Sequence, residues 1–207
     1  TIENWELATK TLEKSLKEKG INYEIDPGEG VFYGPKIDIK INDCLGRQWQ
    51  CSTIQVDFNI PEKFEIKFID EDGKEKTPIL IHRAILGSLE RFFGVLIEHY
   101  KGNFPLWLAP EQLRILPITE KHNQFSETIE EKLSENFRVS VDLRNEKITK
   151  KIKDAEDEKI PYMLIVGDKE IQTGNFALRK HQKGMLGNFS LKEIEENFKN
   201  EIEKKLF

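Results

Sequence analysis

The pattern of apolar residues changes halfway along the chain, and this change constrains the fold more than any other feature. Between residues 36 and 81, short alternating stretches such as Ile37, Ile39 and Ile41 follow one another without a helical pattern between them. Such a succession predicts an antiparallel sheet. Beyond residue 110, strand-like and helix-like stretches alternate, which is typical of an α/β domain with a mainly parallel sheet.

The two patterns predict two domains. The segment from Pro105 to Pro110 interrupts both, so we place the first domain at residues 1–105 and the second at residues 106–207. A chain of 207 residues is long enough for two such domains. The fold class expected for the whole chain is α/β.

Several elements of the first domain can be predicted individually. An amphipathic helix is predicted over residues 3–19, and a short strand over residues 21–25. Asp72 and Gly73 predict a hairpin turn between strands at residues 64–69 and 77–81. A helix over residues 85–100 is apolar on nearly all sides, so we expect it to be buried on most sides.

Composition narrows the function classes. Thirty-two basic and 37 acidic residues give a net charge of −5, which excludes a globally basic nucleic-acid binder but not a local basic patch. Such a patch is formed by Arg138, Arg144, Lys147, Lys150, Lys151 and Lys153. Two cysteines cannot form a disulfide framework, which favours a reducing compartment, and we expect the cytoplasm.

The sequence shows no membrane or secretion signal. No apolar run is long enough to span a bilayer, so no membrane partner is expected. No signal peptide is visible at the start. Because the first residue is Thr1 and not Met, we expect a processed chain or an excised piece of a longer one.

Some polar residues in apolar surroundings have two interpretations each. Arg91 lies on the apolar helix and needs an anionic partner, either a buried carboxylate, which residue statistics favour, or a phosphate. His82 could bind a metal, but a lone histidine is more often structural. Gln50 and Ser52, with Thr53, either satisfy one another or line a polar pocket.

The basic patch also has two interpretations. It could be a solvated helix face, which is usual for such runs, or it could contact RNA phosphates. Asn145 precedes the predicted helix and is expected to be its N-cap.

Four stretches of the sequence carry a resemblance to one known family: residues 27–37, 47–58, 81–92 and 104–110. Together they resemble the threonyl-tRNA synthetases, which are class II aminoacyl-tRNA synthetases, and the third stretch resembles class II motif 3. The resemblance continues through residues 142–147 and 166–170 and covers almost the whole chain. It implies the last half of an antiparallel class II catalytic sheet followed by an α/β anticodon-binding domain.

The resemblance also implies roles for particular residues. Arg91 is similar to the motif 3 arginine that binds the ATP γ-phosphate, and His82 to one of three protein ligands of the active-site zinc. Tyr33 and Lys36 would bind threonine. The residues that would face the adenylate site are Gln50, Thr53, Gln55 and Ser88. The residues that would contact the anticodon loop are Asn145, Glu170 and Arg179.

Parts of the family pattern have no counterpart here. Motif 1, motif 2, the other two zinc ligands and the editing domain lie upstream of the position that matches Thr1. Ser52 stands where the family often has glycine, and its side chain could crowd the adenylate pocket. The chain therefore resembles a C-terminal portion that we expect to be inactive alone and to bind zinc weakly or not at all.

The parent enzyme, by this resemblance, is a homodimer that activates threonine with ATP and Mg²⁺. It then transfers threonine to the 3′ end of threonine tRNA. Two alternatives remain: a standalone, catalytically dead RNA-binding or regulatory protein derived from a synthetase, and a two-domain α/β protein that binds another nucleotide.

Overall fold

The structure is a computed structural model that describes residues 2–206. The chain forms two compact units, of which the first ends at His99 and the second begins at Tyr100. The elements of the first unit are α1 (Ile2–Glu18), β1 (Lys36–Asn42), β2 (Gln48–Asp57), α2 (Asn59–Lys63), β3 (Phe68–Ile69), β4 (Glu75–Lys76), β5 (Leu80–Ala84) and α3 (Leu89–Tyr100).

The main sheet of the first unit has three antiparallel strands in the order β1-β2-β5, as the succession of strands predicts. The Asp72-Gly73 hairpin also forms, but it joins the two-residue strands β3 and β4 as a separate sheet. The predicted strand at residues 77–81 is displaced, since β5 covers Leu80–Ala84 and pairs with β2.

A β-bulge changes which side chains of β2 share a face. Ile39 pairs with Ser52, whereas the next residue, Lys40, pairs with Gln50, so Cys51 is the extra residue of the bulge. Gln50 and Thr53 therefore face the same side, and Ser52 faces the other. Because regular alternation stops at the bulge, only Gln50 and Thr53 lie on a common face, and Ser52 does not join them.

Two predictions for the first unit are wrong. Residues 21–25 form no strand, and Tyr23 is joined to α1 through its hydroxyl, which donates to Glu13 Oε1 at 2.7 Å. Helix α3 begins at Leu89, and none of its residues is buried. Leu89 is 67% exposed and Phe93 is 54% exposed, because three strands cover too little of this apolar helix.

The backbone approaches β2 closely at two glycines. A Cβ atom at Gly34 would overlap with the carbonyl group of Val56, and one at Gly87 would overlap with the carbonyl oxygen of Cys51. Gly87 also has a φ of +67°, which side chains other than glycine rarely adopt. These contacts fix the segments before β1 and before α3 against the same central strand.

The second unit contains β6 (Leu113–Pro117), a 3₁₀ turn (Glu120–His122), α4 (Asn123–Ser134), β7 (Val139–Val141), α5 (Ile148–Asp157), β8 (Tyr162–Val166), α6 (Asp168–Thr173), β9 (Asn175–Lys180), β10 (Gly184–Ser190) and α7 (Leu191–Glu203). The five strands lie in the order β10-β9-β8-β6-β7. Strands β7, β6 and β8 are parallel, as the alternating pattern predicts, and β9 and β10 extend the sheet in antiparallel fashion.

Helices cover both faces of this second sheet. Leu133 of α4 and Phe198 of α7 pack on the face that carries Leu113 and Leu164. Ala155 of α5 packs on the opposite face, against Leu116 and Met163. The carboxyl ends of the parallel strands remain as an edge from which loops leave the sheet.

We predict that Gly34→Ala destabilises the first unit by about 1–3 kcal/mol, because the new methyl group must displace the backbone of β2. Gly94→Ala in α3 is the matched control, since a Cβ there meets nothing within 4 Å. It should be neutral or stabilise the helix by about 0.5–1 kcal/mol. Urea denaturation followed by tryptophan fluorescence measures both, and equal stability of the two variants would contradict the prediction.

Candidate functional site

One face of the β1-β2-β5 sheet collects most of the polar residues that the sequence singles out. Lys36 pairs in register with Gln55, and Gln55 pairs with His82. Asp38 of β1 accepts hydrogen bonds from Lys36 Nζ at 2.5 Å, Gln50 Nε2 at 2.6 Å and Thr53 Oγ1 at 2.9 Å. The structure therefore brings these predicted residues together, around a carboxylate that sequence reasoning missed.

A cavity of about 290 Å³ opens at the end of this polar face. Its lining residues are Phe32, Tyr33, Gln55, Asp57, Asn59, Ile60, Lys63 and His82. The Tyr33 hydroxyl donates to Gln55 Oε1 at 3.1 Å, and the rings of Tyr33 and His82 lie 6.5 Å apart. Three predicted site residues, Tyr33, Gln55 and His82, thus line one cavity.

Asp57 anchors His82 at the base of this cavity. Its side chain is 1% exposed, and its carboxylate accepts the backbone N–H groups of Asn59 and Ile60. The second carboxylate oxygen lies 2.8 Å from His82 Nε2. Burial raises the pKa of Asp57, but the hydrogen bonds from Ile60, His82 and Asn59 outweigh it and hold the pKa below its usual value.

The ionised Asp57 carboxylate determines how His82 is presented. Because a carboxylate only accepts hydrogen bonds, His82 Nε2 carries the proton in this contact, and Nδ1 is the ring nitrogen that faces away from Asp57. In the sequence, Asp57 is only an acidic residue at the end of a predicted strand. Aspartate is also favoured in turns, so its position alone did not identify it as part of a site.

The side chains around His82 in residues 2–206 do not complete a set of zinc ligands. Within residues 2–206, no three His, Cys, Asp or Glu side chains are placed to hold a metal ion. A catalytic zinc requires three protein ligands. The described residues therefore do not form a zinc site by themselves.

Arg91 and Ser88 do not line the cavity. Arg91 Nη1 donates to the carbonyl oxygen of Gln50 at 2.9 Å, and its guanidinium lies over the Trp49 ring at 5.4 Å. Arg91 is exposed, so the alternative of a buried pair with a carboxylate is wrong. Ser88 Oγ accepts the Arg91 N–H and donates to Glu90, so Ser88 directly precedes α3 and caps its first turn.

A buried carboxylate fixes the indole beneath Arg91. Asp43 accepts hydrogen bonds from Trp49 Nε1 at 2.9 Å and from Arg47 Nε at 2.6 Å. The Trp49 indole N–H, with the Arg47 guanidinium and nearby backbone N–H groups, holds the pKa of Asp43 far below its usual value. The turn before β2 therefore supports the ring on which Arg91 rests.

The three residues expected to contact an anticodon lie in the second unit. Asn145 follows β7, and Glu170 follows β8, where its Oε2 accepts the Gly167 N–H at 3.1 Å. Asn145 lies in a loop and Glu170 in the first turn of α6, both at the carboxyl edge of the sheet. Arg179 lies further along β9, opposite Met163, and its buried Nε has no hydrogen-bond partner in the part of the chain that the structure describes.

The prediction that Asn145 caps α5 is wrong. Lys147 occupies the N-cap position and makes no side-chain hydrogen bond there. Asn145 is exposed instead, between Arg144 and Glu146.

The cations of the basic patch are exposed apart from Lys151, but several of them already have partners. Arg144 binds both Asp142 and Asp154, and Lys150 also binds Asp154. Lys151 is only 3% exposed. Of the six cations in the patch, Lys147 and Lys153 are exposed and make no ion pair among residues 2–206. The remaining one, Arg138, donates to the carbonyl oxygens of Ala109 and Trp107.

Two known protein families match different parts of the chain. Residues 2–100 match the tRNA synthetase class II core domain of the G, H, P, S and T type. Residues 112–201 match the anticodon binding domain. A three-stranded antiparallel sheet with a motif 3 helix, followed by an α/β anticodon-binding unit, thus belongs to the class II aminoacyl-tRNA synthetases.

Individual relatives narrow the class to one family. The chain is 52% identical over 202 residues to a threonine–tRNA ligase of Sulfurihydrogenibium sp.. This match covers 97% of this chain and 31% of that relative. The chain is also 52% identical over 203 residues to a threonine–tRNA ligase of Caldanaerobacter subterraneus subsp. tengcongensis, covering 98% and 32%. The chain belongs to the threonyl-tRNA synthetase family and spans about a third of the length of these relatives.

A solved structure supports the same assignment. The crystal structure of the RNA binding domain of threonyl-tRNA synthetase from Cryptosporidium parvum Iowa II superposes with a TM-score of 0.85 at 37% identity. The match covers 97% of this chain and 51% of that one.

Across residues 2–206, no helix has the length and apolar character needed to cross a membrane.

We predict that Asp43 contributes a pH-dependent part of the stability. Because its pKa is lower in the folded chain than in the unfolded chain, its contribution is present above pH ~4 and is lost as the pH falls below that value. The difference in unfolding free energy between the unmodified chain and Asp43→Asn should therefore shrink between pH 6 and pH 3.

Denaturant unfolding at several pH values measures this difference. Trp49→Phe is the matched variant, because it keeps an aromatic ring and removes only the indole N–H donor. It should reproduce part of the Asp43→Asn effect, and a difference that stays constant with pH would contradict the prediction.

Proposed function

We propose that this chain supplies the last part of the catalytic domain and the anticodon-binding domain of a threonyl-tRNA synthetase. The parent enzyme would activate threonine with ATP and Mg²⁺ and transfer it to the 3′ end of threonine tRNA. The observation that carries the proposal is the polar sheet face beside the cavity, where Tyr33, Gln55 and His82 meet. We keep the division at residues 105 and 106 as the boundary between the two domains.

In this scheme, the residues of the polar face bind and orient threonine and the adenylate. Tyr33 and Lys36 would bind threonine, and Gln50, Thr53 and Gln55 would bind the adenylate through their amide and hydroxyl groups. Asp38 holds the ammonium of Lys36 and the side chains of Gln50 and Thr53 in fixed positions before substrate arrives. Catalysis of this kind depends mainly on positioning and charge stabilisation around the phosphates.

Arg91 would act on ATP, with Ser88 at the start of the same helix. Its guanidinium keeps its charge at all physiological pH values and suits a phosphate oxygen. The Trp49 ring and the Gln50 carbonyl hold Arg91 at the edge of β2. In the parent enzyme, His82 would be one of the zinc ligands and would bind the metal through Nδ1, the ring nitrogen that does not contact Asp57.

The second domain would recognise the anticodon. Asn145 exposes an amide with both donors and an acceptor, which suits the edge of an unpaired base. Arg179 of β9 would contribute its guanidinium group, and Glu170 lies at the same sheet edge as Asn145. We further propose that the parent enzyme is a homodimer in the cytoplasm, where the two unpaired cysteines are compatible with a reducing environment.

We predict that the purified chain does not catalyse ATP–pyrophosphate exchange with threonine at the rate of an intact enzyme. Its described residues offer one histidine toward a metal and one arginine toward ATP. Each absent charge-stabilising group should lower the rate by about 10²–10³-fold. An intact relative is the positive control, and exchange near its rate would refute the prediction.

We predict that the chain prefers threonine tRNA over the same tRNA with a changed anticodon at physiological salt. Asn145→Ala should reduce that preference by about 3- to 10-fold, the value of one lost hydrogen bond to a base. Lys153→Ala is the control: an exposed cation contacts only phosphates and should weaken binding to both RNAs equally. Equal, salt-sensitive binding of the unmodified chain to both RNAs would reject the proposed anticodon recognition.

A further inference from the structure

Lys151 is a buried cation without an ion pair in residues 2–206. Its side chain is 3% exposed, and its Nζ donates to the carbonyl oxygens of Pro117 at 3.1 Å and Asp142 at 2.7 Å. Burying an ammonium group is costly unless its donors are used, and burial lowers the pKa of Lys151. An apolar residue would fill the same space without the free-energy cost of burying an ammonium group. The two carbonyl contacts therefore suggest a role for Lys151 beyond filling space.

These two carbonyls mark the carboxyl ends of neighbouring parallel strands. Pro117 is the last residue of β6, and Asp142 directly follows the last residue of β7. The Lys151 ammonium, extending from α5, therefore joins two strand ends to a helix. The loop between Asp142 and α5 begins at this junction.

The same loop is held from its solvent side by Arg144. Its guanidinium donates to both carboxylate oxygens of Asp142, at 2.9 Å and 2.6 Å, and to Asp154 of α5 at 3.0 Å. The N–H of Glu146 donates to the Arg144 carbonyl at 2.9 Å, which closes a tight turn. Both ends of the turn are thus fixed.

Asn145 lies between these anchors and is itself uncommitted. It is exposed, and its side chain makes no hydrogen bond within the described part of the chain. A rigid backbone with a free amide at its tip is the arrangement that lowers the entropic cost of binding a partner.

We propose that Lys151 and Arg144 are positioning residues that pre-form the 142–147 loop, so that Asn145 can discriminate between RNA bases. This inference rests on the proposed anticodon recognition. Lys151 holds the loop from its buried side and Arg144 holds it from its solvent side. In this proposal, neither side chain contacts the base.

The test uses the whole chain and two hairpin RNAs, one with the threonine anticodon and one with a single changed anticodon base. Fluorescence anisotropy gives the ratio of the two affinities for the unmodified chain, Lys151→Met, Arg144→Met and Lys153→Met. Methionine keeps the length of the side chain and removes its donors. Hydrogen exchange of the Glu146 amide reports the order of the loop independently of RNA.

The expected result is a loss of discrimination. Lys151→Met and Arg144→Met should each lower the affinity ratio by about 3- to 10-fold and speed exchange of the Glu146 amide. Lys153→Met, on the exposed side of the same helix, should weaken both RNAs alike and leave the ratio and the exchange rate unchanged.

Two results would overturn the inference in distinguishable ways. If the unmodified chain binds the two hairpin RNAs with equal affinity, the proposed anticodon recognition itself fails. If it discriminates and the folded Lys151→Met variant keeps the full ratio, Lys151 has only a structural role. Should Lys151→Met fail to fold, Arg144→Met decides, because Arg144 has 51% of its side chain exposed and its replacement leaves the core intact.

Discussion

The close approach of backbone to backbone along β2 is the constraint on which the first unit depends. Gly34 and Gly87 bring two separate segments against this strand. In the segment before β1, the Pro35 carbonyl accepts the Val56 N–H at 3.0 Å, and the Tyr33 carbonyl accepts the Phe58 N–H at 3.1 Å. The residues of the candidate site are therefore placed by main-chain contacts to one strand, and helices α1 and α3 contribute little to their positions.

In the second unit, part of the basic run is already occupied by contacts within the unit. Arg144, Lys150 and Lys151 are occupied by carboxylates or carbonyls, and the chain as a whole carries a net charge of −5. Lys147 and Lys153 are the exposed cations of this run without an ion pair among residues 2–206, so few unpaired cations remain there for phosphates. In the proposed anticodon recognition, discrimination between bases would come from a few well-placed polar groups, which makes the order of their loops important.

The sequence predicted the features that depend on local periodicity. Alternation around Ile39 located β1, and the strand–helix rhythm located the parallel strands of the second unit. The features that depend on distant contacts were not predictable: Tyr23 meets Glu13 of α1, and Lys151 meets the end of β6. Strand β10 was missed because Gly184 and its other glycine weaken the strand signal, although pairing with β9 stabilises it.

The bulge at Cys51 has a consequence for the evolution of this strand. Side chains before and after Cys51 follow opposite parity, so Trp49 shares a face with Ile54, and Gln50 shares one with Thr53. A single-residue insertion or deletion on either side of the bulge would exchange the two faces for every residue on that side. Length changes in this strand are therefore tolerable only in compensating pairs, and this stretch should keep a fixed length while its side chains vary.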